Sequence, residues 1–268
     1  MSALTLELAR KPDQRLDLSP LLPRRLAGLK PKEIEALQIG TTRARLVVGD
    51  LFKLKGSGDG GMLRLVGTDA RCDRIGHELA EGEIVVEGDV GAYLGAAMTG
   101  GKISITGRAG PVAGAGIAGG TIAIGGDSDE RAGGILVGGT HGMRGGLITI
   151  GGNAGPMLGE RMRRGLIIVN GGASDYAAVR MIAGTIIVKG TVARFAGYGL
   201  RRGTLILTKE PKDLLPTFGD CGVMDFNYLA LLDRQLRALG IDAKLRSRAR
   251  RLMGDMATLG KGEMLILA

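Results

Sequence analysis

The chain has 268 residues, 44% of them hydrophobic, which is enough for one large domain or two small ones with a sizeable core. Aromatic residues make up only 3% and tryptophan is absent, whereas 48 glycines occur, so the composition favours regular stacking of aliphatic side chains over an ordinary globular core. The net charge of +9 selects no partner class by itself, and the two cysteines, Cys72 and Cys221, lack the CxxC spacing of a metal or redox motif.

The N-terminal segment, residues 1–44, is predicted to form a cap or arm. Leu4 to Leu8 alternates as a strand does, Asp17 to Pro23 is typical of a turn region, and Pro31 to Gln38 predicts a short helix opened by proline. The first residues resemble neither a signal peptide nor a membrane span, and no later apolar run reaches spanning length. The sequence therefore predicts a soluble cytoplasmic protein with no membrane partner.

Residues 45–208 contain eight copies of a glycine-opened strand. The opening glycines are Gly61, Gly82, Gly101, Gly120, Gly146, Gly165, Gly184 and Gly203. They are 19 residues apart in most cases, and the second and fourth residues after each are aliphatic, so these residues are predicted to face a common interior. One step of 26 residues is interpreted as a 19-residue coil with an insertion around Asp127 to Gly133. The pattern predicts a parallel β-solenoid.

The outward position of the last three of these strands is isoleucine, at Ile168, Ile187 and Ile206. Three stacked isoleucines would form an exposed apolar patch, so another segment or protein is expected to pack over them. Either the C-terminal helix folds back over them or a neighbouring protein of an assembly does so.

The C-terminal extension, residues 209–268, follows the last coil. Asp225 to Leu239 predicts an amphipathic helix that stops at Gly240, and Met264 to Leu267 predicts a last strand.

Candidate sites for chemistry are weak in this sequence. Two GxGxxG matches, Gly56 to Gly61 and Gly114 to Gly119, run directly into strands, so no helix N-terminus is available to bind a pyrophosphate. His77 and His141 have no second ligand at metal spacing, and turn positions are the favoured interpretation. The acidic stretch Asp127 to Glu130 does not recur from coil to coil, so it is interpreted as a solvated loop. No catalytic residue and no metal ligand is predicted.

Arginines recur just before the opening glycines of the later coils. The candidate binding residues are Arg144, Arg163, Arg164, Arg201 and Arg202. Such a stripe along one edge would follow an extended polyanion or pair with acidic residues of a partner. A solvated edge that keeps the protein soluble is an equally good explanation. Arg161 and Arg180 share another column.

The glycine coils resemble the GXGXG-repeat domain found in the C subunits of formylmethanofuran dehydrogenases, a domain that also occurs at the C-terminus of the glutamate synthase large subunit. Arg15 to Pro23 and Leu214 to Phe218 are similar to the flanks of that C-subunit family, and the chain looks most like the C subunit of bacterial formyltransferase/hydrolase complexes. The resemblance implies an all-β fold, a right-handed parallel β-helix of 19-residue coils with a short N-terminal cap and an α-helical C-terminal cap.

The same resemblance implies a non-catalytic structural subunit of a hetero-oligomer in one-carbon metabolism. The complex would move a formyl group between tetrahydromethanopterin and a methanofuran-type cofactor and release formate. The implied partners are an amidohydrolase-like A subunit, a B subunit and a formyltransferase D subunit, and nucleic acid is not among them. Because methanofuran-type cofactors have glutamate-rich tails, we hypothesise that the five arginines hold such a tail, while this chain binds no metal or covalent cofactor itself.

Three alternatives stay open at this point. One is the C subunit of a tungsten or molybdenum formylmethanofuran dehydrogenase, and another is a self-assembling β-solenoid scaffold that forms filaments. A third, a hexapeptide-type acyltransferase, is disfavoured because the 19-residue coil has no six-residue sub-repeat.

Overall fold

The structure is a computed structural model that describes residues 3–42, 45–57 and 61–268. Within these ranges the strands form one sheet of 13 strands and one of two strands, and helices are few. The strands are β1 (Leu4–Leu8), β2 (Leu16–Asp17), β3 (Phe52–Lys55), β4 (Met62–Thr68), β5 (Cys72–Asp73), β6 (Glu83–Gly88), β7 (Lys102–Ile105), β8 (Thr121–Ile124), β9 (Arg144–Ile150), β10 (Arg164–Val169), β11 (Thr185–Val188), β12 (Arg202–Leu207), β13 (Gly219–Asp225), β14 (Arg248–Gly254) and β15 (Lys261–Leu267). The helices are α1 (Pro23–Leu26), α2 (Pro31–Glu35), α3 (Val48–Leu51) and α4 (Asn227–Ala238). The predicted all-β class is confirmed.

The large sheet is built from the repeated strands in chain order. Its order is β13-β14-β15-β12-β11-β10-β9-β8-β7-β6-β4-β1-β3. From β1 to β12 each neighbouring pair is parallel, and β7 shows the common register, with Ile103 opposite Ile122 and Ile105 opposite Ile124 of β8. Side chains alternate between the two faces of a strand, so in-register stacking puts these aliphatic residues in buried columns on one face.

A second column of parallel pairings runs beside the sheet. Its members are Val90, Ala109, Ser128, Ala154, Ala173 and Val192. Because Ser128 takes a regular place in this column, Asp127 to Gly133 are ordinary coil residues, and the sequence-based placement of the insertion there is wrong. Gly114, Gly133 and Gly159 hold one column, because their N–H groups donate to the carbonyls at one step of the preceding coil, those of Leu94, Ala113 and Ala132. The seven extra residues therefore follow Gly134 and form a loop at 135–141.

The N-terminal segment joins the sheet as part of it. The predicted strand at Leu4 to Leu8 is confirmed as β1, which pairs in parallel with β4 and antiparallel with β3. The predicted helix from Pro31 is α2, which ends at Glu35, three residues before Gln38. Since β1 supplies backbone partners for β4, the segment covers the first edge of the repeat.

The C-terminal segment extends the other end of the sheet and also covers one face. β15 pairs in parallel with β12, and β14 and β13 follow as antiparallel strands. The predicted helix is α4, whose Leu229 and Leu236 pack with Ile168, Ile187 and Ile206 in one buried cluster. The isoleucines are therefore covered by the chain's own helix, which confirms one of the two predicted arrangements. None of the helices in the described residues has the length and apolar composition to span a bilayer.

Close stacking of the coils makes the glycine after β8 a strict requirement. A Cβ at Gly125 would lie 2.5 Å from the carbonyl oxygen of Thr106 and 3.1 Å from that of Ile105 in the preceding coil. We expect Gly125→Ala to lower the free energy of unfolding by about 1–3 kcal/mol because rigid backbone, not a movable side chain, must shift. Chemical denaturation followed by circular dichroism measures this loss of unfolding free energy.

The matched control is Gly219→Ala, where the nearest atom to the new Cβ, the Met253 carbonyl oxygen, is 4.0 Å away. Equal loss of stability in the two variants would contradict the close-stacking explanation.

Candidate anion-binding site

The five candidate arginines lie at the start of the strands β9, β10 and β12, and all are exposed. We call Arg144, Arg163, Arg164, Arg201 and Arg202 the arginine row. The backbone N–H groups of Arg163 and Arg201 each donate to the carbonyl of a buried methionine in the preceding coil, Met143 and Met181. Arg144 lies directly opposite Arg164 in the β9–β10 register. Arg201 and Arg202 lie two coils beyond Arg163 and Arg164, and Ile182 and Ala183 hold the position between them. The binding role of the row stays a prediction.

Three arginines elsewhere on the coils are paired with carboxylates. Arg108 lies 4.0 Å from Asp127, Arg131 lies 3.7 Å from Glu160, and Arg194 lies 3.4 Å from Asp175. By contrast, no ion pair involves any member of the arginine row among the residues that the structure describes. Its positive charge is therefore available to an outside anion.

A cavity of about 470 Å³ opens beside one end of the row. Three arginines from successive coils line it, Arg161, Arg180 and Arg201, and we call it the arginine pocket. Arg201 alone among the row residues lines this pocket. The remaining lining residues are Thr140, His141, Ile182, Tyr198, Gly199, Asp255, Ala257 and Thr258.

Arg161 and Arg180 hold the same step of successive coils. Their N–H groups donate to the carbonyls of Val179 and Tyr198, so their predicted shared column is confirmed. Both have a φ of 51°, in the left-handed region. Other coils have Glu78, Ala97 and Gly199 at this step, with φ of 59°, 56° and 70°, so the conformation belongs to the coil and is not particular to arginine.

The extra loop at 135–141 supplies one wall of the arginine pocket. Thr140 and His141 line the pocket, and Nη1 of Arg161 donates to the Thr140 carbonyl at 3.4 Å. The Thr140 hydroxyl and His141 Nδ1 are 2.7 Å apart. His141, interpreted from the sequence as a turn residue, thus belongs to the wall of a charged cavity.

Asp255 also lines the pocket and is buried, with 2% of its surface exposed. Its carboxylate accepts hydrogen bonds from the N–H groups of Gly199 and Ala257, each at 2.9 Å, and from Thr217. Burial by itself would raise the pKa of Asp255, but these three hydrogen bonds together lower it below its ordinary value. In earlier coils the N–H at the position of Gly199 donates to a carbonyl of the next coil. Gly199 lies in the last coil, and the Asp255 carboxylate accepts its hydrogen bond instead.

The other sequence candidates do not form a site in the described residues. Gly114 to Gly119 is a turn followed by β8, and part of the Gly56 to Gly61 match, residues 58–60, lies outside the described residues. Asp127 is not in a free loop, because its Oδ1 accepts a hydrogen bond from the Asn153 N–H at 2.7 Å. His77 lies in a turn, as expected from the sequence. The described residues contain no group of three or more His, Cys, Asp and Glu side chains placed to hold a metal.

Neither cysteine belongs to the site. Cys72 is buried, and burial raises the pKa of its thiol to about 11, whereas Cys221 is exposed on β13. A buried thiol with a raised pKa is unreactive at neutral pH.

Sequence reasoning missed the pocket itself, although it identified Arg161 and Arg180 as a column. The signal that could have found it is the replacement of glycine or alanine by arginine at this step of two successive coils. Asp255 gave no sequence signal, because the chain brings it to Gly199 from 56 residues away.

Comparisons with known proteins give a match to a curated protein and a match to a solved structure, while no protein-family model matches the sequence. The C subunit of the formyltransferase/hydrolase complex Fhc of Methylorubrum extorquens is 45% identical over 90 residues, which are 34% of this chain and 34% of that protein. The matched segment thus spans about a third of the length of that curated relative. A chain in the X-ray structure of the formyltransferase/hydrolase complex FhcABCD from Methylorubrum extorquens with methylofuran is 46% identical, with a TM-score of 0.93 over 98% of this chain and 99% of that chain.

We expect Asp255→Asn to destabilise the chain in a pH-dependent way. The folded-state pKa of Asp255 lies below its ordinary value of 3.8, so the carboxylate stabilises the fold above about pH 4 and this contribution is lost as pH falls through the folded pKa. Near pH 7 the variant should lose about 1–3 kcal/mol, the typical cost of weakening a buried, charged hydrogen-bond acceptor. Urea denaturation of both proteins between pH 3 and pH 7 measures the difference. A difference that stays constant over this range would contradict the assigned role.

Proposed function

This chain belongs to the family of the C subunits of formyltransferase/hydrolase complexes, and from that premise we propose that it is a non-catalytic structural subunit of such a complex. In this role it holds the subunits that transfer the formyl group and release formate. The proposed partners are the amidohydrolase-like A subunit, the B subunit and the formyltransferase D subunit. The complex would work in the cytoplasm, in metabolism linked to tetrahydromethanopterin and a methanofuran-type cofactor.

One observation carries this proposal. The likeness to a chain of the solved FhcABCD complex covers 98% of this chain and 99% of that chain at 46% identity, so it includes both flanks as well as the glycine coils. A likeness confined to the coils would also fit other GXGXG proteins. Because the flanks build both ends of the sheet, agreement over them favours the same assembly.

The proposal includes the winding of the chain. Residues 45–208 would form a right-handed parallel β-helix, with residues 1–44 as the N-terminal cap and residues 209–268 as the C-terminal cap that contains α4. Two columns of parallel pairings support this winding. One is the large sheet, and the other runs through Ala109, Ser128 and Ala154. A chain that returns to both columns in every coil must wind in one direction. Such a frame presents surfaces at fixed separations, which suits a subunit that positions others.

The arginine row is the proposed contact with the cofactor. The solved complex contains methylofuran. The family resemblance implies a methanofuran-type cofactor with a glutamate-rich tail. The members of the row are exposed, free of ion pairs within the described residues and distributed over three coils of one edge, so an extended run of carboxylates would meet several guanidinium groups. They are Arg144, Arg163, Arg164, Arg201 and Arg202. This chain itself would bind no metal and no covalent cofactor.

We expect the tagged chain, expressed in its native host, to co-purify with an amidohydrolase-like subunit and a formyltransferase subunit. Large obligate interfaces survive purification, so size-exclusion chromatography with mass spectrometry of the co-eluting chains is the measurement. A molybdopterin-containing protein among them would favour the dehydrogenase alternative. Filaments of this chain alone would favour the self-assembling scaffold and contradict the proposal.

Charge reversal in the arginine row tests the cofactor contact. In the assembled complex, Arg163→Glu combined with Arg164→Glu should weaken affinity for the polyglutamyl cofactor by roughly tenfold, because exposed ion pairs contribute at most about 1 kcal/mol each. Isothermal titration at low and high salt measures this effect, which should shrink as salt screens the charges. Unchanged affinity at low salt would contradict the role of the row.

A further inference from the structure

A second cavity lies on the other side of the 135–141 loop and is mostly apolar. It has a volume of about 250 Å³ and is lined by the loop together with corner residues of three successive coils. Pockets that enclose a small molecule have roughly 300–1,000 Å³, so this smaller one suits a side chain of another protein. We call it the loop groove, and its main lining residues are Tyr93, Pro111, Val112, Glu130, Leu136 and Val137.

We propose that the loop groove docks another subunit of the assembly, through an apolar side chain of that subunit that has lysine or arginine beside it. This docking rests on the proposed function for the existence of such a subunit. It gives the chain a contact surface whose charge is opposite to that of the arginine row.

Val137 is the apolar anchor of this surface, and 88% of it is exposed. It lies at the tip of a tight turn in which the Gly139 N–H donates to the Leu136 carbonyl at 2.8 Å, and Gly138 has the left-handed φ of 79° that such a turn needs. Leu136 holds the turn against the coil, where it packs at Gly116. Turn tips are ordinarily polar, so an ordered turn that presents valine to solvent is suited to a partner that buries it.

The apolar surface around Val137 is continuous. Tyr93, Pro111 and Val112 are half-buried residues of the neighbouring coils and line the same groove. Scattered exposed apolar residues are ordinary, whereas a contiguous concave group that includes an aromatic ring is typical of protein interfaces. The 19-residue repeat does not need the loop that completes the groove, because the β8–β9 register continues across it.

The charge of the groove identifies the kind of partner. Arg131 lines the groove and the Arg74 guanidinium lies 5.4 Å from the centre of the Tyr93 ring, but both arginines are already paired. Their partners are Glu160 for Arg131, at 3.7 Å, and Asp17 for Arg74, at 3.8 Å. Glu130 and the adjacent Asp129 are exposed and have no ion pair within the described residues. The groove therefore has surplus negative charge on a chain whose net charge is +9.

Surplus negative charge selects among possible occupants. It repels nucleic acid and anionic lipid, and a second copy bound through a two-fold axis would bring the carboxylates of both copies together. A partner with a basic residue beside its apolar side chain is attracted instead. Charges at the rim of an interface act mainly on the association rate, while the buried apolar anchor acts mainly on the dissociation rate.

The experiment uses the complex purified from the native host through the tagged chain. The two test variants are Val137→Ser, which removes the apolar anchor at a turn position that serine accepts, and Glu130→Lys, which reverses the rim charge. Both side chains are exposed, so the melting temperature of the purified chain should equal that of the wild type. Subunit exchange followed by native mass spectrometry measures the association and release of each partner.

We expect Val137→Ser to speed the release of one partner subunit by roughly tenfold, as loss of a central apolar contact does. Glu130→Lys should slow the association of the same subunit by several-fold. Salt separates the two effects. High salt should reduce the defect of Glu130→Lys because it screens charge, whereas the defect of Val137→Ser should persist because apolar contact is not screened.

The matched controls change the same chemistry elsewhere on the surface. Leu239→Ser replaces an apolar residue that is 67% exposed, and Asp213→Lys reverses an exposed carboxylate that has no ion pair in the described part of the chain. Both should exchange subunits at the wild-type rate, because neither residue lines the loop groove.

Four results would overturn the docking role. A wild-type release rate in Val137→Ser is one, and an equal acceleration in the control variants is another. A purified chain that dimerises, and becomes monomeric in Val137→Ser, would identify a second copy as the occupant. A wild-type chain that elutes without any partner would contradict the proposed function as well, whereas a complex that forms and is indifferent to both test variants contradicts the docking role alone.

Discussion

Every part of this structure depends on backbone hydrogen bonds between residues about one coil apart. The N–H of one coil donates to the carbonyl of the preceding coil, as Gly125 does to Ile105 at 2.8 Å, and this spacing leaves no room for a side chain at the tightest corners. Glycine there is a consequence of backbone proximity, and the aliphatic columns inside are a consequence of the same register. A single coil could not bury its own apolar face, so the repeat is stable only as a stack.

The two ends of the stack need different substitutes for a missing coil. At the first end β1 and β3 continue the sheet, and at the last end β15, β14 and β13 do so. The turn corners lack such strands, and there the Asp255 carboxylate accepts the hydrogen bond of Gly199 that a further coil would accept. One side chain thus completes the hydrogen bonding of the last coil and also forms the wall of the arginine pocket, so the two roles are physically linked.

The sequence predicted what depends on periodicity. Eight strands, their inward residues and the need for a cover over Ile168, Ile187 and Ile206 all follow from a 19-residue repeat, and α4 supplies that cover. The insertion was misplaced because the acidic stretch from Asp127 looks unlike its neighbours in composition, while its backbone is regular. The repeat indicated only the arginine column of the pocket, because other lining residues come from the 135–141 loop and from Asp255, neither of which repeats.

The loop at 135–141 has a consequence for how such a chain can change over evolutionary time. It leaves the coil after Gly134 and returns by Gly142, and the columns on both sides keep their register, with Ile122 opposite Ile148 despite the extra residues. Mutation can therefore lengthen or rewrite this loop without disturbing the neighbouring coils. A change in length at this corner would alter the surface there, while the strands on both sides keep their pairing.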